Sequence, residues 1–162
     1  MRIGIGYDVH RFGKSKTLKL GGITLAHRGL AGHSDADVLL HAIADALFGA
    51  AGLPDIGEQF PSSNPRYRGM KSGAFVEAAY RQMRKAGLQV GNIDATVIAD
   101  SPKLVGFKKK MAQAIGKLVG ISASQISVKA KTSEAFCPHD KGIAAYAVVL
   151  LVPMKKAKQS RD

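Results

Sequence analysis

The chain has 162 residues, a length that suits one domain with a sizeable buried core. Its hydrophobic fraction of 46% and charged fraction of 22% are ordinary for a globular protein, and they exclude a disordered chain, a coiled coil and a collagen-like repeat. Twenty-four Lys and Arg against twelve Asp and Glu leave a net charge of +12, which favours an anionic partner: nucleic acid, a membrane surface or a phosphorylated small molecule.

The first half of the chain alternates apolar runs with turn residues. We predict a buried strand over residues 2–9 that delivers polar side chains at its end, and a hairpin over 18–25 around its two central glycines. A helix is predicted over 35–50 with Ser34 as its N-cap. Residues 53–69 are rich in Pro, Gly, Ser and Asn, so we predict a long loop of the kind that often carries function.

The second half of the chain continues the alternation of helices and strands. We predict a helix over 72–86, a strand over 92–99, a helix that opens at Ser101-Pro102, and strands over 126–130 and 142–152. Strands interleaved with helices indicate an α/β fold or α+β sandwich, which we expect to hold one mixed β-sheet with helices packed on one face.

No segment has the properties of a targeting or membrane-spanning sequence. The first residues lack the apolar core of a signal peptide, and the longest apolar run, 143–152, is half the length of a membrane span. The single cysteine, Cys137, excludes an internal disulfide framework and a cysteine-rich zinc site. We therefore expect a cytoplasmic domain over 1–152, followed by a basic, flexible tail over 153–162.

Two segments carry residues that ligate metals. Asp8 and His10 are two apart on a predicted strand and so point to the same side, although such a pair is often an ordinary surface feature. Asp37, His41 and Asp45 share one face of the predicted helix, either as a solvated stripe or as part of a site in which an acid one turn away orients the second nitrogen of His41. Taken together they allow a two-histidine, one-carboxylate site with an open fourth position.

Three further segments allow either a functional or a plain structural interpretation. Residues 55–61 lie in the long loop and contain residue types that are typical of a turn. Residues 99–104, with Lys103, suit an anion cradle at a helix N-terminus or a simple N-cap. Residues 129–134 offer cations, hydroxyls and the carboxylate of Glu134, which suit either a phosphate chain bridged by a hard metal or a polar turn.

An ordered set of motifs resembles one known family. The motifs are Gly-Tyr-Asp-Val-His-Arg-Phe at 6–12, His-Ser-Asp-Ala-Asp-Val-Leu-Leu-His at 33–41, Gly-Leu-Pro-Asp-Ile-Gly at 52–57, Asp-Ala-Thr-Val-Ile-Ala at 94–99, Pro-Lys-Leu at 102–104 and Lys-Gly-Ile-Ala-Ala at 141–145. In order and spacing they are similar to the 2-C-methyl-D-erythritol 2,4-cyclodiphosphate synthase family of the non-mevalonate isoprenoid pathway. The resemblance runs from residue 1 to about residue 152.

The resemblance implies a metal-dependent phosphorus–oxygen lyase that works by intramolecular phosphoryl transfer. The 2-phosphate of 4-diphosphocytidyl-2-C-methyl-D-erythritol 2-phosphate attacks the β-phosphate, CMP leaves, and a cyclic diphosphate forms. Positioning and metal charge suffice for such chemistry, without a covalent enzyme intermediate. The resemblance also implies a homotrimer with each site built between neighbouring subunits.

The resemblance assigns roles to individual residues. Asp8, His10 and His41 match zinc ligands, and Glu134 matches the ligand of a second metal, Mg²⁺ or Mn²⁺, that also binds the substrate phosphates. His33 and Thr132 match catalytic positions that stabilise the transition state. The implied substrate-binding residues are Asp8, Val9, His10, His33, Ser34, Asp55, Ile56, Gly57, Phe60, Pro61, Ser62, Ser63, Asn64, Ala99, Asp100, Ser101, Pro102, Lys103, Leu104, Val105, Lys131, Thr132, Ser133, Glu134 and Phe136.

The chain departs from the family pattern in three places. Residues 61–65 read Pro-Ser-Ser-Asn-Pro where the family has two carboxylates, and Lys131 adds a cation. Residues 135–142 are about two positions shorter and lack the arginine that, in relatives, holds an isoprenoid diphosphate on the trimer axis. Phe136 matches the phenylalanine of that cavity, and His139 or Lys141 would have to replace the arginine, so we expect weaker binding of geranyl or farnesyl diphosphate.

Two other functions compete with this interpretation. One is a different metal-dependent phosphotransferase or phosphodiesterase on the same scaffold, with a substrate altered by Ser62 and Asn64. The other is a basic nucleic-acid-binding module, which the charge alone suggests. An aromatic fraction of 6% without tryptophan argues against stacking platforms for single strands, so we expect no nucleic-acid partner.

Overall fold

Strands and helices alternate along the part of the chain that the structure, a computed structural model, describes: residues 1–134 and 141–154. The strands are β1 (Arg2–Arg11), β2 (Leu18–Leu20), β3 (Ile23–Leu25), β4 (Leu88–Ile98), β5 (Ile126–Lys131) and β6 (Gly142–Pro153). The α-helices are α1 (Val38–Ala51), α2 (Ile56–Gln59), α3 (Ser72–Lys85) and α4 (Lys108–Val119), with 3₁₀ turns at Pro65–Tyr67 and Ala123–Gln125.

One four-stranded sheet organises the domain, in the order β1-β6-β4-β5. Strands β4 and β5 are parallel and the other two pairings are antiparallel, while β2 and β3 form a separate hairpin. Along β6, Ala145, Ala147 and Val149 are buried, whereas Tyr146 and Val148 between them are exposed. This alternation means that helices cover one face only, which confirms the predicted mixed sheet with helices on one side.

The prediction of a buried first strand is wrong for one of its two faces. Ile3, Ile5, Tyr7 and Val9 are 73%, 70%, 48% and 52% exposed, because none of the helices within residues 1–134 and 141–154 covers their side of the sheet. With Tyr146 and Val148 they form one apolar surface, called here the open sheet face. A contiguous apolar surface of this kind marks an interaction site in a folded protein.

Helix α1 packs unusually close to β1 because two glycines face it. A Cβ placed on Gly4 would lie 1.9 Å from the carbonyl oxygen of Ala46, and one on Gly6 would lie 1.9 Å from that of Ala42. Only a residue without a side chain fits at either position. The helix backbone therefore rests directly on the strand.

The start of α1 differs from the prediction. Its N-cap is Asp37, whose side chain accepts the N–H of Leu40, and not Ser34. Ala36 has a φ of 57°, a left-handed backbone that a helix beginning at residue 35 cannot contain. The buried Asp37 carboxylate also accepts the backbone N–H groups of Gly21 and Gly22 at 2.8 and 2.7 Å, so it joins the hairpin to the helix. The predicted end is confirmed, with Gly52 as C-cap.

The start of α4 also differs from the prediction. The helix begins at Lys108 rather than at Pro102, and the hydroxyl of Ser101 contacts His27 Nε2 at 2.9 Å instead of capping a helix. Leu104 is buried ahead of the helix, so the segment between Ser101 and Lys108 is held by core packing as a loop.

The remaining elements lie close to their predicted positions. The hairpin, α3 and the last two strands are confirmed, β4 begins four residues early at Leu88, and the long loop contains α2 and a 3₁₀ turn. Strand β6 ends at Pro153, and residues 155–162 of the predicted tail lie outside the described residues. None of the helices described is long and apolar enough to span a membrane.

The tight contact between α1 and β1 yields a prediction about stability. Gly6→Ala is expected to lower the free energy of unfolding by about 1–3 kcal/mol, because the new Cβ overlaps backbone rather than a movable side chain. Gly49→Ala is the matched control, since nothing lies within 4 Å of its added Cβ and alanine favours the helix by roughly 0.5–1 kcal/mol. Urea unfolding of both variants measures the difference, and equal stability of the two variants would contradict the packing argument.

Candidate metal centre and substrate cavity

Three side chains from β1 and α1 converge on one point. Asp8 and His10 leave β1 on the side that faces α1, and His41 leaves the first turns of α1. Asp8 Oδ2 lies 2.8 Å from His10 Nε2 and 2.9 Å from His41 Nδ1, and the two ring nitrogens are 3.1 Å apart. A tetrahedral ion with bonds of 2.0–2.1 Å has ligands about 3.3–3.4 Å apart, so small movements would admit one.

The other nitrogen of each histidine is held by a hydrogen bond. His10 Nδ1 donates to the carbonyl of Ala31 at 2.7 Å, and His41 Nε2 donates to Ser72 Oγ at 2.8 Å. The Ser72 hydroxyl must accept this bond, because its own proton goes to the Asp35 carboxylate. In these tautomers His10 Nε2 and His41 Nδ1 would offer lone pairs to a bound metal, and without a metal a proton at these nitrogens donates to Asp8 Oδ2.

The electrostatics of the cluster favour a positive ion. Burial acts to raise the pKa of the Asp8 carboxyl, but hydrogen bonds and charge from His10 and His41 outweigh it and hold the pKa below its ordinary value. Burial likewise acts to lower the pKa of His10, and the hydrogen bond to Asp8 raises it above its ordinary value instead. Both shifts have one cause, an ionised carboxylate that stabilises positive charge at this point. The donor set and its charge therefore fit a divalent metal.

The polar stripe predicted on α1 does not form a single functional face. Only His41 reaches the metal cluster, and the acid that holds its second nitrogen, through Ser72, is Asp35 rather than Asp37. Asp45 accepts the backbone N–H of Ile56 at 2.8 Å and so positions the start of α2. The sequence did not indicate Ser72, because it lies 31 residues from His41 and joins it only through tertiary packing.

A cavity of about 250 Å³ opens beside the two histidine rings. Eight of its lining residues were predicted to be site residues: His10, His33, Ser34, His41, Ile56, Gly57, Phe60 and Ser62. Gly32, Tyr67 and Phe75 complete the lining and were not predicted. The Phe60 ring packs against both Tyr67 and Phe75, at centroid separations of 5.2 and 4.9 Å, so the apolar wall is built from the long loop and α3 together.

Other predicted residues of the long loop shape it without lining the cavity. Asp55 is the N-cap of α2 and accepts the N–H of Glu58 at 2.9 Å. Asn64 accepts the N–H of Arg66 at 3.0 Å and begins the following 3₁₀ turn, so the amide performs a capping role that a carboxylate can also perform. Pro61 and Ser63 are exposed.

A second group of predicted residues gathers where β4 and β5 end. Because these strands are parallel, residues 99–105 and 131–134 leave the sheet at the same edge. The Asp100 carboxylate accepts the N–H of Ser133 at 2.8 Å and its hydroxyl at 2.7 Å, and Ala99 donates to the carbonyl of Lys131. Lys103 and Val105 are exposed beside this group, which is called here the β4–β5 cluster.

The hydroxyl of Thr132 donates to the carboxylate of Glu134 within the β4–β5 cluster. Glu134 is exposed, with a φ of 52°. Phe136 and His139 lie outside the described residues, and with them the prediction about an isoprenoid diphosphate. Lys141 is exposed and directly precedes β6.

The metal cluster and the β4–β5 cluster are far apart within one chain. Asp8 pairs with Ala145, Ala145 with Val97, and Val97 with Ala130, so Asp8 and Ala130 stand in one row across the sheet. Three strand spacings of about 4.8 Å separate them by about 14 Å. Val9, which lies between Asp8 and His10 on β1, points to the open sheet face.

The chain is similar to known proteins over most of its length. The model of the YgbB family matches residues 1–152. A protein of Syntrophobacter fumaroxidans named 2-C-methyl-D-erythritol 2,4-cyclodiphosphate synthase is 47% identical over 154 residues, which cover 93% of this chain and 97% of the relative.

Solved structures show the same fold. The bifunctional IspDF of Campylobacter jejuni aligns with a TM-score of 0.91 and 38% identity over 95% of this chain, which spans only 42% of that protein. IspF of Plasmodium falciparum, in a CDP complex, aligns with a TM-score of 0.83 and 36% identity over 95% of this chain and 97% of that one.

The metal centre yields a prediction about metal affinity. His41→Ala removes a ligand, and Ser72→Ala removes the group that orients His41. Loss of such an orienting partner costs about 10–100-fold in affinity, and loss of the ligand itself should cost more. His27→Ala is the control, because His27 contacts Ser101 and lies outside the cluster. Calorimetric titration with Zn²⁺ checks this order of metal affinities. An unchanged Zn²⁺ affinity in His41→Ala would refute the metal site.

Proposed function

The chain belongs to the YgbB family, and we propose that it catalyses the reaction for which its curated relatives are named, the formation of 2-C-methyl-D-erythritol 2,4-cyclodiphosphate. The substrate is 4-diphosphocytidyl-2-C-methyl-D-erythritol 2-phosphate. A 2-phosphate oxygen forms a bond to the β-phosphorus, the bond from that phosphorus to the oxygen bridging to the α-phosphorus breaks, and CMP leaves with the bridging oxygen.

The observation that carries this proposal is the convergence of Asp8, His10 and His41, with the two histidines at the wall of the cavity. We assign zinc to it, because two imidazoles and one carboxylate with an open fourth position form a donor set typical of catalytic zinc. When bound, the metal supplies positive charge that polarises the diphosphate and offsets its negative charge. The protein itself orients both rings through Ala31 and Ser72, so the ligand atoms are in place before the substrate arrives.

The roles of the remaining site residues follow from their placement. His33 and Ser34 line the cavity beside the metal cluster, where they can donate hydrogen bonds to the 2-phosphate and to the transition state. Ile56, Gly57 and Phe60 enclose the methylerythritol carbons and exclude water.

We assign the β4–β5 cluster to the nucleotide half of the substrate. Residues 99–105 would hold cytidine, consistent with the CDP complex of the Plasmodium falciparum relative. Glu134 would hold the second ion, Mg²⁺ or Mn²⁺, and Thr132 would donate a hydrogen bond to the phosphates. The Asp100–Ser133 hydrogen bonds tie these two segments together, so a shift of one would displace the other.

The distance between the two clusters supports a homotrimer in which each site is shared between neighbouring subunits. Both are assigned to the same diphosphate, yet about 14 Å of sheet separates them in one chain. A neighbouring copy can bring its β4–β5 cluster to the metal cluster of this one, with the open sheet face buried in the contact.

The catalytic domain over 1–152, the basic tail and the cytoplasmic location stay predictions from the sequence.

The reaction is tested directly by turnover. Purified protein with Zn²⁺, Mg²⁺ and the cytidine-diphospho substrate is expected to release CMP and cyclic diphosphate in equal amounts. His41→Ala should lose nearly all activity, since the ligand triangle is broken. Release of inorganic phosphate or a linear product instead would favour the alternative phosphotransferase or phosphodiesterase, and CMP release unchanged in His41→Ala would refute the proposed mechanism.

The shared site is tested by separating the subunits. Ile5→Lys places a charge on the open sheet face, where Ile5 is 70% exposed in the single chain. We expect it to reduce the solution mass from three times 17.1 kDa toward one chain, to lower turnover by on the order of 100-fold or more through misplaced groups, and to leave Zn²⁺ affinity intact because all three ligands belong to one chain.

Ala86→Lys serves as the control for this test, because Ala86 is exposed at the end of α3, away from the open sheet face. Light scattering, turnover and zinc titration are measured on both variants. A monomeric Ile5→Lys protein with full activity would contradict the shared site.

A further inference from the structure

We propose that Arg11 and Arg68, which line one cavity together with His33, form a phosphate subsite that binds the attacking 2-phosphate of the substrate. The proposal rests on the proposed function, which requires a phosphate monoester beside the metal cluster. It adds two cations that neither the sequence motifs nor the cavity of the metal centre assigned.

A second cavity of about 420 Å³ adjoins the first. Its lining consists of Arg11, Ala31, Gly32, His33 and Arg68, and it shares Gly32 and His33 with the cavity of the metal centre. A Cβ on Gly32 would lie 3.0 Å from the Ala36 Cβ and 3.2 Å from His10 Cε1, so a side chain there would press against both residues. Because Gly32 and His33 line both cavities, a ligand group in one cavity lies next to the other.

The charges in this second cavity are of one sign. No carboxylate lines it, and within residues 1–134 and 141–154 neither Arg11 nor Arg68 makes an ion pair or a side-chain hydrogen bond. Two exposed guanidinium groups therefore face a cavity without a counter-charge. Guanidinium is the group that matches phosphate in two parallel hydrogen bonds.

The backbone places both arginines against the loop that carries His33. Gly69, next to Arg68, donates its N–H to the carbonyl of His33 at 2.7 Å. Ala31 donates its N–H to the carbonyl of Arg11 at 2.8 Å. The backbone of Arg11 at the end of β1 and that of Gly69, next to Arg68 in the long loop, are therefore held against residues 31–33, the same loop that holds His10.

The chemistry of the substrate explains why such a subsite is needed. The reaction brings a phosphate monoester against a diphosphate, so two groups of like charge must approach each other. In the proposed function the metals and Thr132 act on the diphosphate, and His33 and Ser34 alone serve the monoester. Arg11 and Arg68 supply the missing positive charge at the 2-phosphate, which is the nucleophile. They do not act on CMP, which is the leaving group.

The test compares the substrate with the same molecule lacking its 2-phosphate, which cannot cyclise and acts as a competitive inhibitor. Arg11→Gln and Arg68→Gln are each expected to raise KM for the substrate about 10–100-fold, the usual effect of losing a hydrogen bond between charged groups. The inhibition constant of the analogue should change by less than about 2-fold, since it has no group for the subsite.

Arg66→Gln is the matched control, because it makes the same charge change in the same loop at a residue that lines neither cavity. It should leave both constants unchanged. Arg68→Lys keeps the charge without the planar fork, and should lie between wild type and Arg68→Gln. Should Arg11→Gln not fold, the two Arg68 variants carry the test.

Each outcome decides the proposal. A selective rise in KM supports the subsite. An unchanged KM, or equal rises in KM and in the inhibition constant, would overturn it. If the wild-type protein releases no CMP from the substrate, the proposed function fails. CMP release by wild type with unaffected arginine variants refutes the subsite alone.

Discussion

The contact between α1 and β1 is the constraint on which the metal centre depends. His41 belongs to the helix, whereas Asp8 and His10 belong to the strand, so the three ligand atoms meet only at one distance between these elements. Gly4 and Gly6 set that distance, because any side chain at either position would collide with the helix backbone. Close packing of two backbones thus determines the geometry of the candidate metal site, since interiors transmit even small changes in volume.

Hydrogen bonds behind the ligands extend this constraint to the surrounding loops. Ala31 holds His10, and Ser72 holds His41 while its own proton is given to Asp35. The loop at 31–35 and the N-terminus of α3 are therefore parts of the metal centre, although neither supplies a ligand. This arrangement leaves the two facing nitrogens beside an ionised carboxylate, where a proton or a bound metal cation stabilises them.

The sheet separates the candidate site residues into two groups. Asp8 and Ala130 occupy one row of the sheet at opposite edges, so the metal ligands and the segment with Thr132 and Glu134 do not meet inside one chain. The apolar open sheet face lies between these edges on the side without helices. Assembly through that face would both bury apolar surface and join the two groups, so stability and catalysis would favour the same contact.

The sequence by itself determined the family and the mixed sheet, and it predicted the three side chains that converge as the candidate metal site. A spacing of two residues on a strand places Asp8 and His10 on one side, and the resemblance to the family points to His41 and to most of the cavity lining. The metal-binding role of Glu134 stays a prediction. What only the tertiary structure decided are contacts between distant segments: Asp37 as the true helix cap bonded to Gly21 and Gly22, and Ser72 behind His41. The physical reason is that periodicity and capping preferences report interactions within about one helical turn or strand repeat, whereas these hydrogen bonds form only after the elements have packed.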